Sequence, residues 1–228
     1  MSRTRPAIIS FDIDGTLVDF KAMLDAALQG VGQALADLGG GTALCAQDLQ
    51  ALRNQAAAEP AYAGAGLEAL RRESFRRAAA GLGLAADAHA EDLWQVFLAS
   101  RHPQRHLYPD VEPSLQALHA QGIRLAAASN GNTPLRESPL SAYFEAWFYA
   151  EEIGVAKPAP GFYQEAIRRL SAQPQDILHV GDSPAEDYWP ALACGLRALL
   201  LHRGGGPGAA DAAAVASLHE LQDYLNAI

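Results

Sequence analysis

Asp12 and Asp14, two residues apart, close the aliphatic run Ala7-Ile8-Ile9-Ser10-Phe11 and are followed by Gly15-Thr16. Side chains two apart on a strand leave by the same face, so both carboxylates emerge together where the strand ends, with Ile13 turned away. Such a pair can divide the work of nucleophile and general acid/base, and together it invites Mg2+. The same residues also suit an Asx-type turn, with Gly15 bending the chain and Thr16 capping the next segment. Ser129-Asn130-Gly131-Asn132 ends a second apolar run, Leu125-Ala126-Ala127-Ala128. A hydroxyl and backbone N–H groups there can hold a phosphate oxygen, or simply turn the chain. Lys157 precedes Pro158-Ala159-Pro160, which drives it out of the helical region and stiffens the stretch. It is either a rigid anion anchor or an exposed lysine beside a helix start. Of the 17 Lys and Arg residues only Lys21 and Lys157 are lysines, so an ammonium kept against that bias marks a need for a compact charge. Asp182 follows Ile177-Leu178-His179-Val180-Gly181, and Asp187 comes five residues later. These are carboxylates of the kind a hydrated divalent cation uses, or else caps for the next helix.

These positions need a scaffold that delivers several strand ends to one place. From Val18 to about Arg105 the chain is Ala-rich and reads as helical, with helices over 20–38, 46–58, 65–81 and 88–101. They are broken by Gly39-Gly40-Gly41, Glu59-Pro60 and Gly81-Leu82-Gly83. After Tyr108-Pro109 the pattern alternates: helix 111–121, strand 123–128, a short helix near 136–143, strand 146–149, helix 159–171, strand 177–180, helix 186–194, strand 197–201 and a last helix near 217–226. Alternation of this kind implies an α/β fold with a mostly parallel sheet covered on both faces. The expected organisation is an α/β core of residues 1–18 and 107–228, interrupted after its first strand by an all-helical insertion over 19–106. Gly204-Gly205-Gly206-Pro207-Gly208 reads as a loop; it lacks the Lys-Ser/Thr of a phosphate-binding P-loop.

Half of the 228 residues are hydrophobic and 19% are charged, enough to build a core. A formal net charge of -9 argues against nucleic acid or an anionic membrane as partner, and obliges any anionic substrate to find cation locally. No stretch approaches the ~20 apolar residues of a membrane span. The apolar run before Asp12 is too short for a signal-peptide core. Cys45 and Cys194, read as inert small side chains, suit a reducing, cytoplasmic setting.

In order and in placement at strand ends, these stretches resemble the four motifs of the haloacid dehalogenase superfamily. Asp12 to Thr16 resembles its DxDGT. Ser129 with Asn130 resembles its second-motif hydroxyl. Lys157 in Lys-Pro-Ala-Pro resembles its lysine, and Gly181, Asp182 and Asp187 match its Gly-Asp-x-x-x-x-Asp. The resemblance covers nearly the whole chain and implies a Rossmann-like core with an inserted helical cap. It further implies a Mg2+-dependent phosphatase acting on a small phosphorylated metabolite. Asp12 would be the nucleophile that forms an aspartyl-phosphate, and Asp14 the general acid/base. Mg2+ would be held by Asp12, the Asp14 main-chain carbonyl and Asp182, with Asp187 ordering its waters or Lys157. Thr16, Ser129, Asn130 and Lys157 would bind the phosphoryl group.

Alternatives within that resemblance are a phosphomutase and a 2-haloacid dehalogenase; the latter needs no metal and lacks the second aspartate, which Asp14 supplies. A phosphonatase would carry a cap lysine, for which Lys21 is the one candidate. A non-catalytic phospholigand-binding protein would have lost one of the core residues, and none is missing. In the insertion, Arg71, Arg72, Arg76, Arg77, Arg101 and Arg105 are cationic candidates for gripping the substrate, with Leu67, Leu70 and Phe75 as the buried face of their helix.

Overall fold

Pro6 leads into β1 (Ile8–Phe11), whose four side chains are all buried, as a central strand covered on both faces requires. Five more strands come after it: β2 (Arg124–Ser129), β3 (Ala146–Tyr149), β4 (Ile177–Gly181), β5 (Arg197–Leu201) and β6 (Ala214–Val215). This computed structural model describes residues 5–39, 41, 43–204 and 212–227. The strands form one sheet in the order β3-β2-β1-β4-β5-β6, with every neighbouring pair parallel. The order reverses between β1 and β4, and ligands of open α/β sheets bind beyond the carboxyl ends of strands at such a switch point. Asp12 leaves β1 and Asp182 leaves β4, so both lie at that reversal.

The chain divides into two units, Met1–Phe20 with Pro103–Ile228 and Lys21–His102. In the first, α5 to α9 cover the sheet: α5 (Val111–Ala120), α6 (Ala150–Ile153), α7 (Pro160–Leu170), α8 (Trp189–Ala193) and α9 (Leu218–Asn226). Phe162, Tyr163 and Leu170 of α7 pack with Ile8, Ala126, Ile177 and Leu200 from one face. Ile9, Phe11, Leu125 and Ala127, which point the other way, are equally buried. The two chain crossings are tied to this unit. Val18 bridges Leu107, the Asp19 N–H donates to the His106 carbonyl, and the Tyr108 N–H donates to the Leu17 carbonyl. The unit boundary accordingly falls at Lys21 and His102, inside the 19–106 span read from composition.

The second unit is helical: α1 (Phe20–Gly39), α2 (Ala46–Ala57), α3 (Leu67–Gly81) and α4 (Ala86–Ser100). Its core joins Leu28, Val31 and Leu35 of α1, Leu49 of α2, Phe75 of α3 and Trp94 and Phe97 of α4. Leu70 and Phe75 are buried as expected, but Leu67 is 71% exposed, because it opens the first turn of α3, beyond the reach of that core. Two helices of the alternating half also differ from expectation. Residues 136–143 form two 3-10 turns, since Pro139 interrupts the hydrogen bonding of a single helix. Residues 186–194 divide into a π-helical turn (Pro184–Tyr188) and α8, with Pro190 at the start of the latter. Of the two glycine runs, Gly40 and residues 205–208 lie outside the described residues.

Candidate active site

The carboxyl ends of β1, β2 and β4 and the loop after α6 bring Asp12, Ser129, Asp182, Asp187 and Lys157 into one region of the first unit. Lys157 Nζ donates to Asp12 Oδ1 at 2.7 Å and to Asp187 Oδ1 at 2.6 Å, with all three side chains buried. Although burial opposes its charge, these two carboxylates hold the Lys157 ammonium above its usual range. Lys157 is therefore not an exposed lysine beside a helix start: its side chain is 1% exposed.

One carboxylate oxygen from each of Asp12, Asp182 and Asp187 falls within 4.8 Å of the others. Burial pushes the Asp12 carboxyl well above its ordinary range, with Lys157 pulling against this and Asp187 and Asp14 adding to it. Asp182, though open to solvent, is raised to about 6 by desolvation and then by the charge of Asp187. One ammonium therefore does not balance the carboxylates gathered here, and a hard dication is the natural complement of such an all-oxygen set. The residues fit Mg2+, with Asp12 and Asp182 the better ligands. Both oxygens of Asp187 are already engaged: Oδ1 by Lys157 and His179, and Oδ2 by the Ser183 N–H at 3.0 Å.

Asp14 is placed by different contacts. Thr133 Oγ1 donates to Asp14 Oδ1 at 2.5 Å, and the Tyr149 hydroxyl in turn donates to the Thr133 carbonyl at 3.0 Å. Glycines give the carboxylates room. A Cβ on Gly131 would collide with the Asp14 carboxylate, one on Gly15 with that of Asp182, and one on Gly181 with that of Asp187. Gly15 also adopts φ +89°, a conformation that a side chain disfavours.

Two residues expected to touch phosphate have other partners. Asn130 accepts from the Lys157 N–H through Oδ1 at 2.7 Å and donates through Nδ2 to the Lys157 carbonyl at 2.8 Å, so its amide clamps the backbone that presents the ammonium. Thr16 is fully buried and its hydroxyl has no hydrogen-bond partner among the described residues, so it is sealed from solvent. Its carbonyl accepts from Arg203 Nε and Nη2, while Arg203 Nη1 pairs with Asp110 at 3.0 Å and its guanidinium lies 3.8 Å from the Tyr108 ring. Ser129 is buried at the end of β2, its Oγ accepting from the Gly131 N–H at 3.0 Å.

His179 escaped the sequence reading. The parallel register sets it opposite Ser10, and its ring bridges Ser10 Oγ and Asp187 Oδ1, each at 3.2 Å. Burial lowers its pKa and keeps it neutral. A carboxylate only accepts, so Nε2–H donates to Asp187 and Nδ1 accepts from the Ser10 hydroxyl. Thr133 was also missed, though it lies one residue beyond the Ser129–Asn132 turn. Lys21, the phosphonatase candidate, is an exposed partner of Asp25 at 2.7 Å in the second unit.

A family profile described as haloacid dehalogenase-like hydrolase matches residues 6–195. The chain is 30% identical to a phosphoserine phosphatase of Thermus thermophilus over 64% of its length, and spans 63%, less than two thirds, of that relative. It is 30% identical to a phosphoglycolate phosphatase of Pseudomonas putida, covering 90% of this chain and 72% of that one. A solved 2-haloacid dehalogenase from Pseudomonas syringae pv. Tomato superposes with a TM-score of 0.76 at 30% identity, covering 96% of this chain and 98% of that one.

Proposed function

We propose that this chain, which belongs to the haloacid dehalogenase-like hydrolases and is on that ground a hydrolase, is a Mg2+-dependent phosphatase of small phosphorylated metabolites. The observation that carries the reading is the cluster of Asp12, Asp182 and Asp187 within 4.8 Å, with a single buried ammonium set against it. Three carboxylates would repel a phosphoryl group; a dication together with Lys157 turns that repulsion into binding.

In this reading an oxygen of Asp12 attacks phosphorus, forming the aspartyl-phosphate as the bond to the leaving oxygen breaks. Asp14, oriented by Thr133, gives its proton to that oxygen. It then takes a proton from the water that attacks phosphorus, which frees phosphate and restores Asp12. Lys157 and Ser129 grip the transferring oxygens, while Asn130 and Asp187 hold Lys157 in place. Mg2+, held by Asp12, Asp182 and the Asp14 main-chain carbonyl, supplies charge neutralisation for in-line transfer.

The structural likeness to a 2-haloacid dehalogenase favours a second reading, hydrolysis of a carbon–halogen bond at Asp12. Asp14 has no part in that chemistry. Phosphate release from p-nitrophenyl phosphate and a panel of phosphorylated metabolites, run beside halide release from 2-chloropropionate, separates the two. Phosphate release that EDTA stops and Mg2+ restores is expected. Halide release indifferent to EDTA, with no phosphate released, would overturn the phosphatase.

A further inference from the structure

Four arginines lie on α3, and three of them are matched by acids. Arg72 pairs with Glu68 and Glu91, Arg76 with Glu73 and Asp87, and Arg77 with Glu59 and Glu73. Arg71 is different. It is only 9% exposed, yet among the described residues no carboxylate pairs with it. Its Nη2 donates to Gln50 Oε1 at 2.9 Å, and its Nη1 is shut away from solvent with no acceptor among the described residues. Arg53, one turn beyond Gln50 on α2, repeats the pattern: its Nε is buried, without a partner and without an ion pair among the described residues. Arg101 completes the group, its guanidinium 5.6 Å from the Phe97 ring that lies 5.8 Å from the Arg71 guanidinium. Burial, then the charges of Arg53 and Arg101, lower the Arg71 pKa to about 10.

A shielded N–H with no acceptor bears its full desolvation penalty, and like charges drawn together add to it. Of the two glutamates on α3, Glu68 and Glu73, neither pairs with Arg71. An incoming acceptor of negative charge would remove both costs, and guanidinium forks match the paired oxygens of an oxyanion. By contrast the cleft beside Thr133, 150 Å³ in volume, has its cation Arg136 already matched by Glu152 at 2.7 Å.

We propose that Arg71 and Arg53, with Arg101 beside them, form an anion-binding site within the helical unit that takes a carboxylate or phosphoryl group of a small molecule. The site does not depend on the phosphatase reading.

The test is a titration of the full-length protein, labelled with 15N at arginine, with glycolate and separately with inorganic phosphate. The reporter is the Arg53 Nε–H resonance. A saturable shift is expected, weakened roughly tenfold or more in Arg71→Gln, the loss of one charged hydrogen-bond donor. No saturable shift with either anion, or equal affinity in Arg71→Gln, overturns the site. Should Arg71→Gln fail to fold, Arg71→Lys serves, because it keeps the charge but loses the fork and is still expected to bind more weakly. The readout involves no turnover, so its failure would leave the phosphatase reading standing.

Discussion

Lys157 and Arg71 are the two buried basic side chains among the described residues that carry a charge, one in each unit, and they are treated in opposite ways. Lys157 meets two carboxylates, at 2.7 and 2.6 Å, and its charge is strengthened. Arg71 meets an amide, an aromatic ring and two more arginines, and its charge is weakened. The ammonium belongs to a network that is electrostatically in surplus of negative charge and calls for a cation. The guanidinium belongs to one in surplus of positive charge and calls for an anion. A protein of net charge -9 thus has one location prepared for each sign.

The strongest way to break this comparison is at the carboxylate end. Asp12→Asn should lower p-nitrophenyl phosphate turnover by several orders of magnitude while far-UV circular dichroism stays unchanged, because an amide of equal size cannot attack phosphorus. Retention of more than a tenth of the activity, a difference worth only ~1.4 kcal/mol of barrier, would show that the nucleophile lies elsewhere. Next is Lys157→Met, which leaves Asp12 and Asp187 facing each other without their cation. Turnover should fall at least roughly a hundredfold. Removing one partner from a buried pair costs about 3–5 kcal/mol, so the urea midpoint of the Mg2+-free protein should drop as well. An unchanged midpoint would mean that the three groups do not form the buried unit seen here.

A smaller effect is expected one contact further out. His179→Leu removes the Nε2–H donor from Asp187 and should lower kcat about tenfold, because Asp187 then holds Lys157 less firmly. His179→Gln, which restores a donor, should recover much of it with KM little changed. Equal loss in both variants would assign His179 to packing alone. Least of all should be seen for Arg72→Gln. Its pairs with Glu68 and Glu91 are exposed and screened by solvent, so thermal stability should hardly move. A large loss there would erase the distinction drawn between Arg71 and its neighbours.

How much was legible beforehand depends on the range of each interaction. β1 to β5 are short apolar runs bounded by turn residues, so their positions could be read locally. β6 is two residues long and carries no period to detect. Asp12 and Asp14 announce themselves by spacing within one strand end, and Asp182 and Asp187 within another. The Asn130 clamp on Lys157 and the His179 bridge from Ser10 to Asp187 depend on which strands become neighbours and in what register, which local pattern does not specify. The arginines of α3 looked alike in sequence. Only packing separates Arg71, facing Gln50 and Phe97, from three companions that reach acidic partners.

The glycines beneath the carboxylates have a mechanical consequence. The loop after β2 leaves a notch at Gly131 that the Asp14 carboxylate fills, and the loop after β1 leaves one at Gly15 that the Asp182 carboxylate fills. Gly181, the last residue of β4, leaves another for Asp187 of the turn that follows. The loop after β4 is thereby keyed into the loop after β1, and that one into the loop after β2, each tongue bearing a charged oxygen. Neither of the first two can swing away without first withdrawing its tongue from the next. Their amides should accordingly open together in hydrogen exchange, as one latch rather than as three independent flaps.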